Sequence, residues 1–148
     1  MAVRLEPIYL ANVLLYIDNV DSIGLFPFVS KPCHQATLTV KVNPTAFNES
    51  PKNILKYFPN INTMVVNRML CFNKTHTLPE TVTSIVVGEV FFKYLNSEQL
   101  TFADRVVEIS RCSSERDYPA DFTLFPHLER LSLKGVPDPC TLPTHKLK

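Results

Sequence analysis

The apolar residues of this chain keep two rhythms: near its start they recur at helical spacing, and from about residue 60 they alternate in short runs. From Leu5 to Ile17 the positions Ile8, Tyr9, Leu10, Val13, Leu14 and Ile17 make one wide stripe, with Pro7 in the first turn, where a missing N–H is tolerated. This predicts a helix whose stripe is buried against a neighbour. After a polar break at residues 18–21, Asp21 or Ser22 is placed to cap a second short helix through Ile23, Leu25 and Phe26, with Pro27 early in its turn, and Pro32 opens a third from Cys33 to about Val40. Thr39 to Val42 alternates like a strand, and Asn43-Pro44 ends it. Ser50 and Pro51 read as the cap and first residue of a further short helix that ends at Tyr57.

One phrase then occurs twice. Phe58-Pro59-Asn60-Ile61 leads to Met64-Val65-Val66, and Phe125-Pro126-His127-Leu128 leads to Leu131-Ser132-Leu133. Each is a proline bend feeding a short alternating strand. The two lie 67 positions apart, which divides into three steps of about 22, and intermediate copies follow at Leu78-Pro79 with Val82, Ile85 and Val87, and at Phe102-Ala103 with Val107 and Ile109. The latter is worn, with Asp104 in the first apolar place. Taking Met64, Ile85, Val107 and Leu131 as equivalent gives steps of 21, 22 and 24 residues, inside the window of leucine-rich repeats, in which each unit adds one strand to a shared parallel sheet. Three residues past each strand, Met69, Val90, Cys112 and Val136 imply a dry turn whose backbone groups are satisfied by other means. Residues 90–100 and 118–124 form short helices or irregular turns on the convex side, and the tail with Pro137, Pro139 and Pro143 resembles a frayed end.

Composition narrows the class. With 148 residues, 45% hydrophobic and 20% charged, the chain is expected to fold as one ordinary domain or as a small head with a short array. A formal charge of +1 and basic residues interspersed with acidic ones (Lys52, Lys56, Arg105, Arg111, Arg116) give no converging cationic face, so nucleic acid is not an expected partner. Twelve prolines against three glycines favour extended connections over tight hairpins. The absence of a leader pattern or a long apolar run leads to an expectation of a cytoplasmic protein with no membrane partner. The sequons at Asn48 and Asn73 then carry no weight.

The order Leu5 to Leu10, Val13, Ile17, a polar break, Leu25-Phe26, then Phe28-Val29-Ser30-Lys31-x-Cys33 resembles the F-box, with Cys33 where that family has an aromatic residue. Taken with the repeats, the chain is similar to leucine-rich-repeat proteins of amoebae that carry a diverged F-box-like head. The resemblance implies an α/β fold: a short irregular leucine-rich-repeat solenoid of about four parallel strands, capped by an N-terminal F-box-like helical head. The head spans residues 3–42, the array 43–136 and a Pro-rich tail 137–148. It implies a non-enzymatic protein–protein interaction module, in which the head docks a Skp-type adaptor of a ubiquitin ligase through Leu5, Pro7, Ile8, Leu25 and Phe28. In a plainer reading the head only caps the repeats, and the chain is a scaffold with no ligase link.

Alternation along the strands turns a second set of side chains outward, onto the open sheet face. These are Thr63, Val65 and Asn67; Ser84, Val86 and Gly88; Val106, Glu108 and Ser110; and Arg130, Ser132 and Lys134. They are the candidate substrate-selecting face. A rival reading of a different class uses the cysteines and histidines. Cys33-His34 adjoin, and Cys71-x4-His76 and Cys140-x4-His145 share a spacing, so a thiol enzyme or a Cys2His2 metal site is the alternative. No catalytic signature surrounds these residues, and the three glycines are too far apart for a phosphate-cradling loop. No catalytic residue, metal ligand or cofactor is therefore assigned.

Overall fold

The computed structural model describes residues 5–47, 49–69, 72, 77–113, 119–132, 140–145 and 147–148. It is a mixed α/β structure in which three N-terminal helices precede a parallel sheet. The helices are α1 (Pro7–Leu15), α2 (Val20–Val29) and α3 (Lys31–Thr39). Pro7 occupies the first turn of α1 and Pro32 that of α3 as expected, but the cap of α2 lies upstream of the predicted one. Asn19 accepts from the Ser22 N–H at 2.9 Å, and Ser30, extended at the end of α2, accepts from the Cys33 N–H at 3.3 Å. Ser30 thus separates two helices that would otherwise fuse, and Pro27 falls inside the last turn of α2 rather than at its start.

Helix α3 packs against both α1 and α2. That arrangement corrects the expected burial of the α1 stripe. Ala11 and Leu14 are buried and Leu10, Leu15 and Ile17 partly so, whereas Ile8, Tyr9 and Val13 face outward. A helix pressed on one neighbour covers only the ridge that meets it, so a stripe wider than that ridge stays partly at the surface.

The chain leaves α3 beside the sheet. Val42 bridges to Thr63 in the parallel sense, and the Lys41 carbonyl accepts from the N–H groups of Asn62 and Thr63 at 2.9 and 3.0 Å. Helix α4 (Pro51–Tyr57) follows, capped by Ser50 with Pro51 in its first turn, as the sequence predicts. It ends at Phe58, with φ −127° and ψ 69°. Phe125 ends a 3-10 turn (Phe122–Leu124) in nearly the same conformation, φ −114° and ψ 84°. Both phenylalanines are buried, as are Ile61 and Leu128 three residues on, so the repeated phrase folds the same way twice.

The sheet contains β1 (Thr63–Arg68), β2 (Ser84–Phe91), β3 (Val106–Ile109), β4 (Cys112–Ser113) and β6 (Arg130–Leu131). Its order is β1-β2-β3-β6, all parallel, with β4 alongside the end of β2. Inward-facing partners align as buried Met64, Ile85 and Val106, and as buried Val66, Val87 and Ile109 with the partly buried Leu131. Each fully buried side chain of this kind contributes about 1.5–3 kcal/mol.

This register differs from the expected one in two places. A bulge in β3 makes Val107 the extra residue, so Val106 is fully buried and Val107 is not, the reverse of the predicted faces. Leu131 pairs with Ile109, not with Val107, which sets the last strand two residues away from the position its phrase suggested. A slide of two keeps the inward and outward alternation, so Arg130 and Ser132 stay on the outer side.

A second pair of short parallel strands, β5 (Ala120–Asp121) and β7 (Cys140–Thr141), ties residues 140–141 back to the segment before β6. The Lys148 N–H donates to the Glu129 carbonyl at 2.8 Å, so the tail is tied to the chain beside β6 rather than frayed.

Phenylalanine rings fill the side opposite the open face. Phe72 and Phe102 lie 4.7 Å apart between ring centroids, and Phe92 meets Phe122 edge-on at 5.2 Å. The buried Gln99 carries the polar load there: its Nε2 donates to the Phe72 carbonyl at 2.8 Å, and its Oε1 accepts from the Asn96 N–H. That bond satisfies a carbonyl beside the turn at buried Met69, whereas the expected turn positions Val90 and Cys112 lie in β2 and β4, with the Val90 N–H donating to the Arg111 carbonyl at 3.0 Å.

Candidate interaction surfaces

The outer face of the sheet gathers most of the residues that alternation assigned to it. Val65, Val86, Glu108 and Arg130 form one row across four strands, and Thr63 pairs with Ser84 below it. Thr63, Val65, Ser84, Val86, Glu108 and Ser110 are half-buried, while Asn67, Arg130 and Ser132 are exposed. Lys134 lies outside the described residues. Arg130 is not a free cation, because its Nε donates to Glu108 Oε2 at 2.7 Å. The row therefore runs from apolar to an internally neutralised ion pair.

At the far end of the strands the face sinks into a polar hollow of about 370 Å³, lined by Asn67, Arg68, Gly88, Glu89, Ser110 and Arg111. Gly88 is obligatory there: a Cβ would lie 2.8 Å from the Asn67 carbonyl oxygen across the ladder. Arg68 approaches Glu89 at 3.8 Å and lies 5.5 Å from the centre of the Phe91 ring, and Ser113 donates to Glu89 at 3.3 Å. Sequence reasoning missed Arg68 and Glu89, although the step that relates Met64 to Ile85 also relates these two opposite charges. Arg105, grouped above with the scattered basic residues, donates to the carbonyls of Pro79 and Val82 and serves the turn before β2.

The helical head presents a different surface. Ile8 is 65% exposed, Leu25 64% and Phe28 78%; Leu5 is exposed too, and Pro7 is half-buried. Tyr9, Val13 and Val29, outside the predicted adaptor set, join them at the surface. Between α2 on one side and Phe47, Glu49 and α4 on the other runs a groove of about 510 Å³ whose walls include Asp21, Gly24, Leu25, Phe28, Glu49 and Tyr57. A smaller hollow of about 210 Å³ lies on the other side of Phe28 and Tyr57, against His34, Leu38 and Lys56.

Among the described residues, Cys112 and Cys140 come close enough to interact, while Cys33 and His145 have other partners. Cys33 is buried beneath the Ser30 hydroxyl at 3.2 Å, and Nε2 of His145 lies 2.6 Å from the Leu128 carbonyl. Burial pushes the Cys112 thiol up, with the neighbouring Cys140 adding to the effect, and burial alone raises Cys140. A raised thiol carries less thiolate, the opposite of what a nucleophile needs. Cys71 and His76 lie outside the described residues. Among those described, no group of three or more His, Cys, Asp or Glu is arranged to hold a metal ion, and no helix is long and apolar enough to cross a membrane.

No protein family, curated protein or solved structure matches the chain. What it can do must be argued from its own surfaces. Two of them carry chemistry suited to contact: the mixed sheet face with its polar hollow, and the apolar side chains of α1 and α2.

Proposed function

We propose that the chain is a non-enzymatic protein–protein interaction module of the leucine-rich-repeat kind with an F-box-like head. In this reading the head docks a Skp-type adaptor, and the sheet face selects a substrate for the attached ligase. The observation that carries it is the outward apolar surface of α1 and α2, with Ile8, Leu25, Phe28 and Val29 each more than half exposed. Several large apolar side chains left exposed on two short helices of a folded chain point to a contact surface. Support for the repeat half comes from the ladder step, which is 21 residues from Met64 to Ile85 and from Ile85 to Val106, and 22 from Val87 to Ile109 and from Ile109 to Leu131.

The test is a pull-down in which the full chain is immobilised and offered a purified Skp-type adaptor. Recovery of adaptor, lost on Phe28→Lys, is the expected result. A folded chain that recovers none removes the ligase link and leaves the scaffold reading.

A further inference from the structure

Helix α2 contains a glycine that its own fold does not require. Gly24 sits in the middle of the helix, where glycine is the poorest former after proline, and its backbone is helical, so no left-handed conformation demands it. A Cβ built there meets nothing within 4 Å among the described residues. The missing side chain opens the groove between α2 and α4, where Leu25, Phe28 and Tyr57 supply apolar wall. Both carboxylates of that wall, Asp21 and Glu49, are acidic groups with no cation among their described hydrogen-bond and ion-pair partners. Asp21 is not needed as a helix cap either, since Asn19 performs that task.

We propose that this groove is a docking site for a segment of another protein that inserts one large apolar side chain over Gly24 and places a lysine or arginine against Asp21 and Glu49. The volume, about 510 Å³, suits one anchoring side chain and its flanks. An apolar anchor in a pocket with a charged rim is the pattern in which a few residues carry most of the affinity. The acidic rim selects a basic partner and speeds its approach at low salt. The groove has no wall from α1 but shares Leu25 and Phe28 with the proposed adaptor surface, so its basic-peptide specificity is read from Gly24, Asp21 and Glu49, which that surface does not use.

A displayed library of random peptides, selected on the full chain, tests this. The expected winners share one aromatic or large aliphatic residue beside Lys or Arg, and a synthetic copy binds saturably and more weakly as salt rises. Gly24→Leu fills the groove and weakens that binding about tenfold or more, and Asp21→Asn with Glu49→Gln does the same. Gly24→Leu melts no lower than the wild type, because leucine is the better helix former. Glu80→Gln, a carboxylate outside the groove, binds as the wild type does. Should Gly24→Leu fold poorly, the paired carboxylate variant decides. No enrichment, winners without a basic residue, or binding indifferent to both groove variants overturns the proposal. Self-association of the chain that Gly24→Leu abolishes overturns it too, by assigning the groove to a second copy. A failed adaptor titration bears on the ligase reading alone.

Discussion

The side chain of Asn43 holds the backbone of Val65 as a further strand would. Its Oδ1 accepts from the Val65 N–H at 2.8 Å, and its Nδ2 donates to the Val65 carbonyl at 2.9 Å. Together with the bridge from Val42 to Thr63, this closes part of the edge of β1, which would otherwise offer unpaired groups to another chain. Asn43 is 1% exposed, so its amide has no water as a substitute partner. Asn43→Ala is expected to cost about 1–3 kcal/mol in urea unfolding, as two hydrogen bonds to a half-buried strand are lost.

Asn43→Asp distinguishes the donor from the acceptor. The carboxylate still accepts from the Val65 N–H but faces the Val65 carbonyl, which favours the protonated acid and raises its folded pKa above the unfolded one. Stability of this variant is therefore highest below the ordinary carboxylate range and falls as pH rises through the folded pKa. Unfolding curves for variant and wild type across that range give the check.

The glycines of α2 and β2 should respond in opposite directions. Gly88→Ala drives a Cβ to 2.8 Å from backbone oxygen and is expected to cost about 1–3 kcal/mol. Gly24→Ala meets open space and is expected to stabilise by up to about 1 kcal/mol. Paired urea titrations of the two variants test both signs.

The thiols predict an alkaline weakness. Cys112 and Cys140 have folded pKa values above the ordinary thiol value of 9.0, so the folded state holds its thiol protons longer than the unfolded chain does. Their contribution is complete below 9.0 and is lost as pH rises through the folded values. Replacing both with Ala should flatten the fall in melting temperature above that pH relative to the wild type. An unchanged slope would show that other groups cause it.

Much of the architecture was written in local pattern, and what was missed depended on distant partners. The Phe-Pro phrase was legible because its bend, buried phenylalanine and buried residue three positions on are set by adjacent residues, and Phe58 and Phe125 adopt one conformation. Ser50 and Pro51 marked α4 for the same reason. The faces of Val106 and Val107 were not legible, because a bulge is a misfit between two strands that neither sequence contains alone. Exposure of Ile8 and Val13 likewise depends on how little of α1 its neighbour covers. The groove beside Gly24 needed Leu25 and Tyr57 brought together from separate helices.

The exposed apolar side chains of α1 and α2 are proposed to be a binding surface. Calorimetric titration of the full chain with a purified Skp-type adaptor tests this directly, using wild type, Ile8→Lys and Phe28→Lys. Both substitutions are at exposed positions and should alter stability by no more than about 0.5 kcal/mol. The account predicts saturable binding by the wild type and its loss in both variants, with melting temperatures unchanged. A folded wild type that gives no heat of binding, or variants that bind as tightly as it does, would contradict it.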